Sequence, residues 1–205
     1  EGRDVSQLLA AEGRLEPQRA LGITLAVLEA LAFAHEEGII HRDIKPSNVM
    51  IDTKGRVKVA DFGLAKVLTQ ESGSFTRSAL ALGTADFIAP EALIPGISLD
   101  GRADLYAIGV MLYQMLSGEI PRGMWTMPGL KLGTDPRFDS IIAKAMQTDR
   151  EARYQSAAEI RHDLDTILTA PRGLTQPQAA PPAATAPPAQ KPPQSGPRAP
   201  QKKPP

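Results

Sequence analysis

The sequence of 205 residues contains no cysteine, which excludes disulfide bonds and zinc sites built on thiolates. It has no apolar run near the roughly 18 residues that suggest a membrane-spanning helix. It also has no signal peptide, and it begins at Glu1 without an initiator methionine. We therefore expect a fragment of a longer cytoplasmic protein, in which any membrane anchor belongs to sequence outside this chain.

Neither sign of charge is in excess, because 23 Lys and Arg residues balance 23 Asp and Glu residues. Their distribution is uneven: residues 171–205 carry five basic side chains and no acidic one, which leaves 18 basic against 23 acidic residues in 1–170. Proteins that bind nucleic acids usually have a basic face, and this mildly acidic body does not predict one. We expect no nucleic-acid partner.

Proline separates the chain into two parts. The last 35 residues hold 12 of the 19 prolines, mixed with Ala, Gln and Lys. Such a segment buries too little apolar surface to offset the entropy lost on ordering it. We predict a folded domain over 1–170 and a disordered linker over 171–205, with a ligand for a proline-recognising domain as the alternative interpretation of the linker.

The body is predicted to be mainly α with a small β-hairpin, an α+β fold. Pro17 suits a first helical turn, and Gly38 suits the end of the apolar helical pattern that follows it. Residues 103–117 are apolar nearly all round, as is typical of a helix buried in a core. Further helices are predicted over about 136–147 and from Ser156, where Ser-Ala-Ala-Glu matches a capping box.

The stretch HRDIKPSNVMIDTKGRVKVADFG, from residue 41 to 63, combines polar side chains with two apolar runs. The runs 49–51 and 57–60 predict two strands of a hairpin. Paired Cα atoms of an antiparallel hairpin lie roughly 5 Å apart, so Asn48 and Asp61 at its two ends should converge. Their amide and carboxylate oxygens are ligands suited to Mg²⁺. Asp43 adds a carboxylate base to the same place.

Lys45 adds a cation to this group. A metal site, a base and a cation directed at phosphate together describe phosphoryl transfer. HRDIKPSN, DFG at 61–63 and APE at 89–91 resemble, in order and spacing, the motifs of the eukaryotic-like Ser/Thr protein kinases, and the composition resembles their bacterial members. The resemblance covers roughly 1–168. It implies a kinase-like C-terminal lobe, ATP and Mg²⁺ as cofactors, and protein substrates with Ser or Thr acceptors.

The resemblance also assigns roles to single residues. Asp43 would orient the substrate hydroxyl, and Lys45 would neutralise charge on the transferred phosphoryl group. Asn48 and Asp61 would hold Mg²⁺. His41 is expected to be a packed scaffold residue rather than a proton-transfer group.

Further implied roles concern the nucleotide and the support of the site. Met50 would lie beneath the adenine ring, and Asp4 would contact the ribose. Asp104 would accept hydrogen bonds from backbone N–H groups of the catalytic loop, with a helix N-cap as the alternative. Glu91 and Arg153 would form a buried ion pair.

The activation segment is the third region to which the resemblance assigns residues. Thr84 would bridge this segment to the catalytic loop, and Arg42 would pair with a phosphate on it. Thr76 and Ser78 are the predicted phosphate acceptors. We expect autophosphorylation at one of them, for which two copies of the kinase would pair.

Some elements of a complete kinase are missing from the sequence. It has no G-x-G-x-x-G loop, no strand lysine in a V-A-I-K-like setting and no partner glutamate on a following helix. We therefore expect a C-terminal lobe without the small lobe, with poor affinity for ATP and negligible turnover on its own. A non-catalytic kinase-like binding module is the alternative, and a small-molecule phosphotransferase is a third hypothesis.

Overall fold

The computed structural model describes residues 2–62 and 85–170. Its strands are β1 (Arg3–Asp4), β2 (Val49–Ile51) and β3 (Val57–Val59), and 3₁₀ turns cover Pro46–Asn48, Ala85–Phe87 and Pro90–Leu93. Its helices are α1 (Val5–Glu12), α2 (Pro17–Glu36), α3 (Arg102–Ser117), α4 (Pro128–Leu132), α5 (Pro136–Ala145) and α6 (Ala157–Thr169). The predicted mainly helical α+β fold is confirmed. None of the helices within these ranges is both long enough and apolar enough to cross a membrane.

A small antiparallel sheet has the strand order β1, β2, β3. The predicted hairpin is confirmed, with Val49 of β2 opposite Val59 of β3. Gly55 in the connecting turn has a φ of 77°, in the left-handed region that favours glycine. Strand β1 was not predicted. It pairs with β2 through Asp4 opposite Met50, and its two residues are too few to produce an alternating pattern.

Helix α3 lies at the centre of the core, as its sequence predicts. Of its 16 residues, 12 are buried. Helix α2 packs against α3, and its Val27, Leu28 and Leu31 are fully buried in the same apolar cluster. Burying one such side chain stabilises a fold by about 1.5–3 kcal/mol. The chain segment that follows α2 lies on this core, and this segment contains the candidate site.

The helix ends agree with most of the predicted signals. Pro17 occupies the first turn of α2, and Gly38 beyond its end has a φ of 71°. Ser156 caps α6 through its side chain, which accepts a hydrogen bond of 3.2 Å from the backbone N–H of Glu159. The Glu159 carboxylate accepts from the backbone of Gln155 rather than from that of Ser156. The predicted capping box is therefore wrong in its second half.

Gly118→Ala is expected to destabilise the fold by about 3 kcal/mol. Gly118 ends α3 with a φ of 78°, and a Cβ atom there would lie 2.6 Å from the carbonyl oxygen of Gly13. The left-handed backbone and the contact with another backbone segment add to each other. Gly38→Ala is the matched control: its φ is 71°, but a Cβ atom meets nothing within 4 Å, so the cost should be about 1 kcal/mol. Equal losses in urea unfolding would contradict the steric contribution.

Candidate active site

The loop between α2 and β2 brings three of the predicted site residues together. The side-chain amide of Asn48 donates to the Asp43 backbone carbonyl at 2.8 Å and to Asp43 Oδ2 at 2.9 Å. Lys45 Nζ lies 2.8 Å from the same Asp43 Oδ2. The 3₁₀ turn Pro46–Asn48 reverses the chain so that Asn48 reaches back to Asp43. A carboxylate that is one-third exposed is thus flanked by an amide and a cation.

Asn48 has one side-chain atom suited to a metal cation. Its Nδ2 atom is used by Asp43, so the side-chain oxygen remains as a ligand, with Ser47 Oγ 3.5 Å away. The backbone N–H of Ala60 donates to the Asn48 carbonyl at 2.8 Å, which extends the ladder by one pair. Asp61 therefore follows directly after the residue opposite Asn48. It is exposed, and its φ is 62°.

The side chains of Asn48 and Asp61 have the chemistry that one kind of metal ion prefers. Among residues 2–62 and 85–170, no group of three or more His, Asp or Glu side chains could hold a metal ion by itself. An amide oxygen and a carboxylate are hard oxygen ligands, and Mg²⁺ typically takes one or two protein ligands and completes its shell with phosphate and water. Asn48 and Asp61 therefore fit Mg²⁺ that is shared with a phosphate-bearing ligand.

Asp104, which is 1% exposed, anchors the loop that contains Asp43. Its two carboxylate oxygens accept hydrogen bonds from the backbone N–H groups of His41 at 2.9 Å and Arg42 at 2.7 Å. The N-cap of α3 is Gly101, so the alternative of Asp104 as the N-cap is wrong. Arg42 has a φ of 68°, a left-handed conformation that costs energy and that these bonds help to hold.

His35 is a supporting residue that the sequence analysis missed. Its Nε2 atom lies 2.8 Å from Asp104 Oδ2, so the imidazole N–H donates to the anchoring carboxylate. The available signal was a histidine in the last turn of α2, six positions before His41. Periodicity alone does not reveal it, because a partner 69 residues away is defined only by the packing of α2 on α3.

His41 is fully buried and lies between the two ends of the site. Its Nε2–H donates to the carbonyl of Ala60 at 2.8 Å, and its Nδ1 accepts from the backbone N–H of Asp43 at 3.2 Å. Its ring also meets Phe62 edge to face, with centroids 4.7 Å apart. One ring nitrogen bonds the residue after β3 and the other bonds the loop itself, so both are occupied, which supports the scaffold interpretation.

Glu91 and Arg153 meet in the interior. The guanidinium donates two hydrogen bonds to the carboxylate, at 2.8 and 3.0 Å, and Arg153 is 2% exposed. Arg153 also donates to the backbone carbonyls of Gln147 and Arg102. Burial raises the pKa of Glu91, but the hydrogen bonds from Arg153 and from the Glu91 backbone N–H, together with the charge of Arg153, hold that pKa below its ordinary value. The pair joins the 3₁₀ turn Pro90–Leu93 to the segment before α6.

The residues assigned to the nucleotide lie on the sheet. Met50 is 38% exposed and is paired with Asp4 on one side and Lys58 on the other. Asp4 caps α1: its carboxylate accepts from the backbone N–H of Gln7 at 2.9 Å, and the Gln7 side chain accepts in return. The structure thus gives Asp4 a capping role, and its contact with a ribose stays a prediction. The predicted activation-segment residues lie outside the described residues; they are Thr76, Ser78 and Thr84.

Comparison with known proteins decides the family. Residues 1–168 match the family model for the protein kinase domain. The chain belongs to the protein kinase family. Members of this family generally use ATP and Mg²⁺. The motifs that suggested the resemblance are thus supported over most of the chain.

Several bacterial Ser/Thr kinases are similar to this kinase-family chain. The Ser/Thr-protein kinase PknB of Mycolicibacterium smegmatis is 35% identical over 89% of the chain and 33% of that protein. A probable Ser/Thr-protein kinase of Streptomyces coelicolor, SCO3848, is 36% identical over 88% of the chain and 29% of that protein. The chain thus spans about a third of the length of these relatives.

The fold has solved counterparts. The crystal structure of the Mycobacterium tuberculosis PknI kinase domain superposes with a TM-score of 0.63 at 30% sequence identity. The match covers 80% of this chain and 62% of that kinase domain. The mainly helical architecture around the candidate site is therefore a kinase architecture.

Asp104→Asn is expected to destabilise this kinase-family chain by about 2 kcal/mol. The amide offers one acceptor oxygen where the carboxylate offers two, so the N–H group of His41 or Arg42 would face an NH₂ group and lose its bond. Asp100→Asn is the control, because that carboxylate is 44% exposed, and it should cost under about 1 kcal/mol. Urea unfolding measures both, and equal losses would contradict the anchoring role.

Proposed function

We propose that this chain carries the catalytic loop of a Ser/Thr protein kinase, which transfers the γ-phosphoryl group of ATP to hydroxyl groups of protein substrates. The observation that carries the proposal is the convergence of Lys45 and Asn48 on one oxygen of Asp43, at 2.8 and 2.9 Å. The similarity to PknB, a Ser/Thr-protein kinase, and to SCO3848, a probable one, supports the choice of acceptor.

Each polar residue of the loop has a separate task in this proposal. Asp43 accepts a hydrogen bond from the substrate hydroxyl and aims its oxygen, since alignment dominates when the transition state is loose. Lys45, held beside Asp43, offsets negative charge on the transferred group. Asn48 and Asp61 would hold Mg²⁺, which when bound would neutralise charge on the phosphate oxygens.

We further propose that residues 1–170 correspond to the C-terminal lobe of the kinase domain and that 171–205 form a linker. The cover of only 62% of the PknI kinase domain supports this division. The sequence also lacks a glycine-rich phosphate loop. Met50, exposed on the sheet, would then form the lower side of an adenine site whose upper side comes from the other lobe. Turnover by this chain alone should be negligible.

The test is phosphate transfer by the full-length product of the gene. The protein is incubated with γ-labelled ATP, Mg²⁺ and a mixture of Ser, Thr and Tyr peptides, and the phosphoamino acids are then identified. Phosphoserine and phosphothreonine are expected, and removal of Mg²⁺ with EDTA should abolish them. A full-length protein that binds ATP but transfers no phosphate would contradict the proposal and favour a non-catalytic kinase-like module.

Regulation by autophosphorylation is part of the proposal. Thr76 or Ser78 would receive a phosphate from a second copy of the kinase, and Arg42 would pair with it. Phosphopeptide mapping of the active full-length protein is expected to find at least one of the two modified. Finding both unmodified in protein of full activity would reject this step while leaving phosphoryl transfer to other substrates intact.

A further inference from the structure

A bidentate ion pair joins the 3₁₀ turn Ala85–Phe87 to the loop that follows α3. Arg122 Nε donates to Asp86 Oδ1 at 2.7 Å, and Arg122 Nη2 donates to Asp86 Oδ2. The Arg122 side chain is 68% exposed, whereas that of Asp86 is 16% exposed. The bonds from Arg122 also hold the pKa of Asp86 below its ordinary value, so the carboxylate stays ionised. The guanidinium of Arg122 therefore faces solvent, and it covers the carboxylate of Asp86.

The turn that holds Asp86 and the loop that holds Asp43 border the same cavity. Phe87, the neighbour of Asp86, and Arg42, the neighbour of Asp43, line the same cavity of about 300 Å³. An extended peptide advances about 3.3 Å per residue, so side chains within three positions of an acceptor hydroxyl sample a radius of roughly 10 Å. A peptide that presents its hydroxyl to Asp43 and continues along this cavity past Phe87 would bring a neighbouring side chain to the Asp86–Arg122 pair.

We propose that the Asp86–Arg122 pair selects acceptor peptides by charge, favouring an acidic side chain near the acceptor hydroxyl and disfavouring Lys or Arg. This inference rests on the proposed function and names a substrate class for the same site. A basic substrate side chain would have to displace Arg122 to reach the Asp86 carboxylate. An acidic one meets the exposed guanidinium, which has five N–H donors and uses two of them on Asp86.

The neighbouring acid does not reverse this preference. Glu119, three positions before Arg122, has its carboxylate 2.6 Å from Lys131 Nζ. Its negative charge is thus compensated by a cation of its own. At such exposed groups, selection by charge combines attraction of acidic substrate side chains with repulsion of basic ones. Peptides of both charges therefore need to be measured.

The test uses the full-length kinase and a set of Ser peptides that differ only in having Glu, Gln or Lys at one position within three residues of the acceptor. For at least one position, wild-type kcat/KM should favour Glu over Lys by about three- to tenfold. Arg122→Gln exposes the Asp86 carboxylate, so it should shift the ratio of kcat/KM for Glu and Lys peptides toward Lys by a similar factor. Asp86→Asn keeps the cation and should preserve the preference for Glu, and Arg122→Lys should retain most of it.

Arg19→Gln is the matched control. Arg19 also pairs with a carboxylate, since its Nη1 donates to both oxygens of Glu12 at 2.8 and 2.9 Å, and it is 44% exposed, but it lies in the first turn of α2. For Arg19→Gln, the ratio of kcat/KM for Glu and Lys peptides should equal that of wild type. The inference is overturned if wild type phosphorylates these peptides without a charge preference, or if Arg122→Gln leaves the ratio of kcat/KM for Glu and Lys peptides unchanged. In either case the proposed function is not contradicted. If wild type phosphorylates no peptide, both the proposed function and this inference are contradicted.

Discussion

Replacing Asp43 by Asn is expected to lower kcat of the full-length kinase about 10²–10⁴-fold. The substitution keeps the size of the side chain but removes the carboxylate that is proposed to aim the substrate hydroxyl and that contacts Lys45 at 2.8 Å. The KM for ATP should stay within about twofold, because the lost interaction concerns the acceptor in the transition state rather than the bound nucleotide. Steady-state kinetics with a Ser peptide measures both constants.

Two comparisons keep this result specific to Asp43. Asp163→Asn alters a carboxylate on α6 that accepts from Tyr154 at 2.6 Å, and its kcat should match that of wild type. Thermal unfolding should show that Asp43→Asn remains folded, since the Asp43 side chain is one-third exposed. A folded Asp43→Asn protein whose kcat is within fivefold of wild type would remove Asp43 from the proposed mechanism.

Arg153→Ala is expected to destabilise the chain by about 3–5 kcal/mol, a large part of the stability of a typical domain. The substitution strands the Glu91 carboxylate, which is 7% exposed and receives both of its strong hydrogen bonds from Arg153. The carbonyls of Gln147 and Arg102 lose their donor as well. Urea unfolding followed by circular dichroism measures the change.

The control for Arg153→Ala is Arg137→Ala. Arg137 also holds a carboxylate in two bonds, that of Asp135, but its side chain is 29% exposed and water can replace it. It should cost about 1 kcal/mol or less. If Arg153→Ala yields no folded protein, Glu91→Gln provides the measurement, with an expected loss of about 2–3 kcal/mol. Losses below 1 kcal/mol in both would show that the buried pair contributes little.

The same pair predicts a dependence on pH. Because the folded pKa of Glu91 lies below its ordinary value of 4.5, its stabilisation is present above that value and is lost as the pH falls through the folded pKa. The stability difference between wild type and Glu91→Gln should therefore be largest near neutral pH and shrink in acid. A difference that stays constant from pH 7 to the acid limit of folding would contradict the linkage.

Much of the local structure could be predicted from the sequence, because it depends on neighbours in the chain. The hairpin follows from two apolar runs around a glycine turn, and its geometry brings Asn48 and Asp61 to one end. Helix α3 follows from a run that is apolar on every side. The contact of Lys45 and Asn48 with Asp43 spans at most five positions, so the loop motif itself contains it.

Contacts between distant segments could not be predicted in the same way. His35, whose carboxylate partner lies 69 positions away, and the pair of Asp86 with Arg122, which are 36 positions apart, could not be found from the sequence. Strand β1 was missed because two residues carry no periodic pattern. The bonds from Asp104 and the Glu91–Arg153 pair were expected only from the family resemblance, since no local rule relates residues 62 or 63 positions apart.

The sequence by itself determined helices α2, α3, α5 and α6, the hairpin and the types of side chain in the loop, since these follow from periodicity, turn residues and composition over short distances; it did not predict the shorter helices α1 and α4. The tertiary structure decided which buried charges meet, which carboxylate anchors the loop of Asp43 and which member of the Asp86–Arg122 pair faces solvent. The physical reason is that a buried charge is stable only beside its partner, and the packing of the helices around α3 determines where that partner lies.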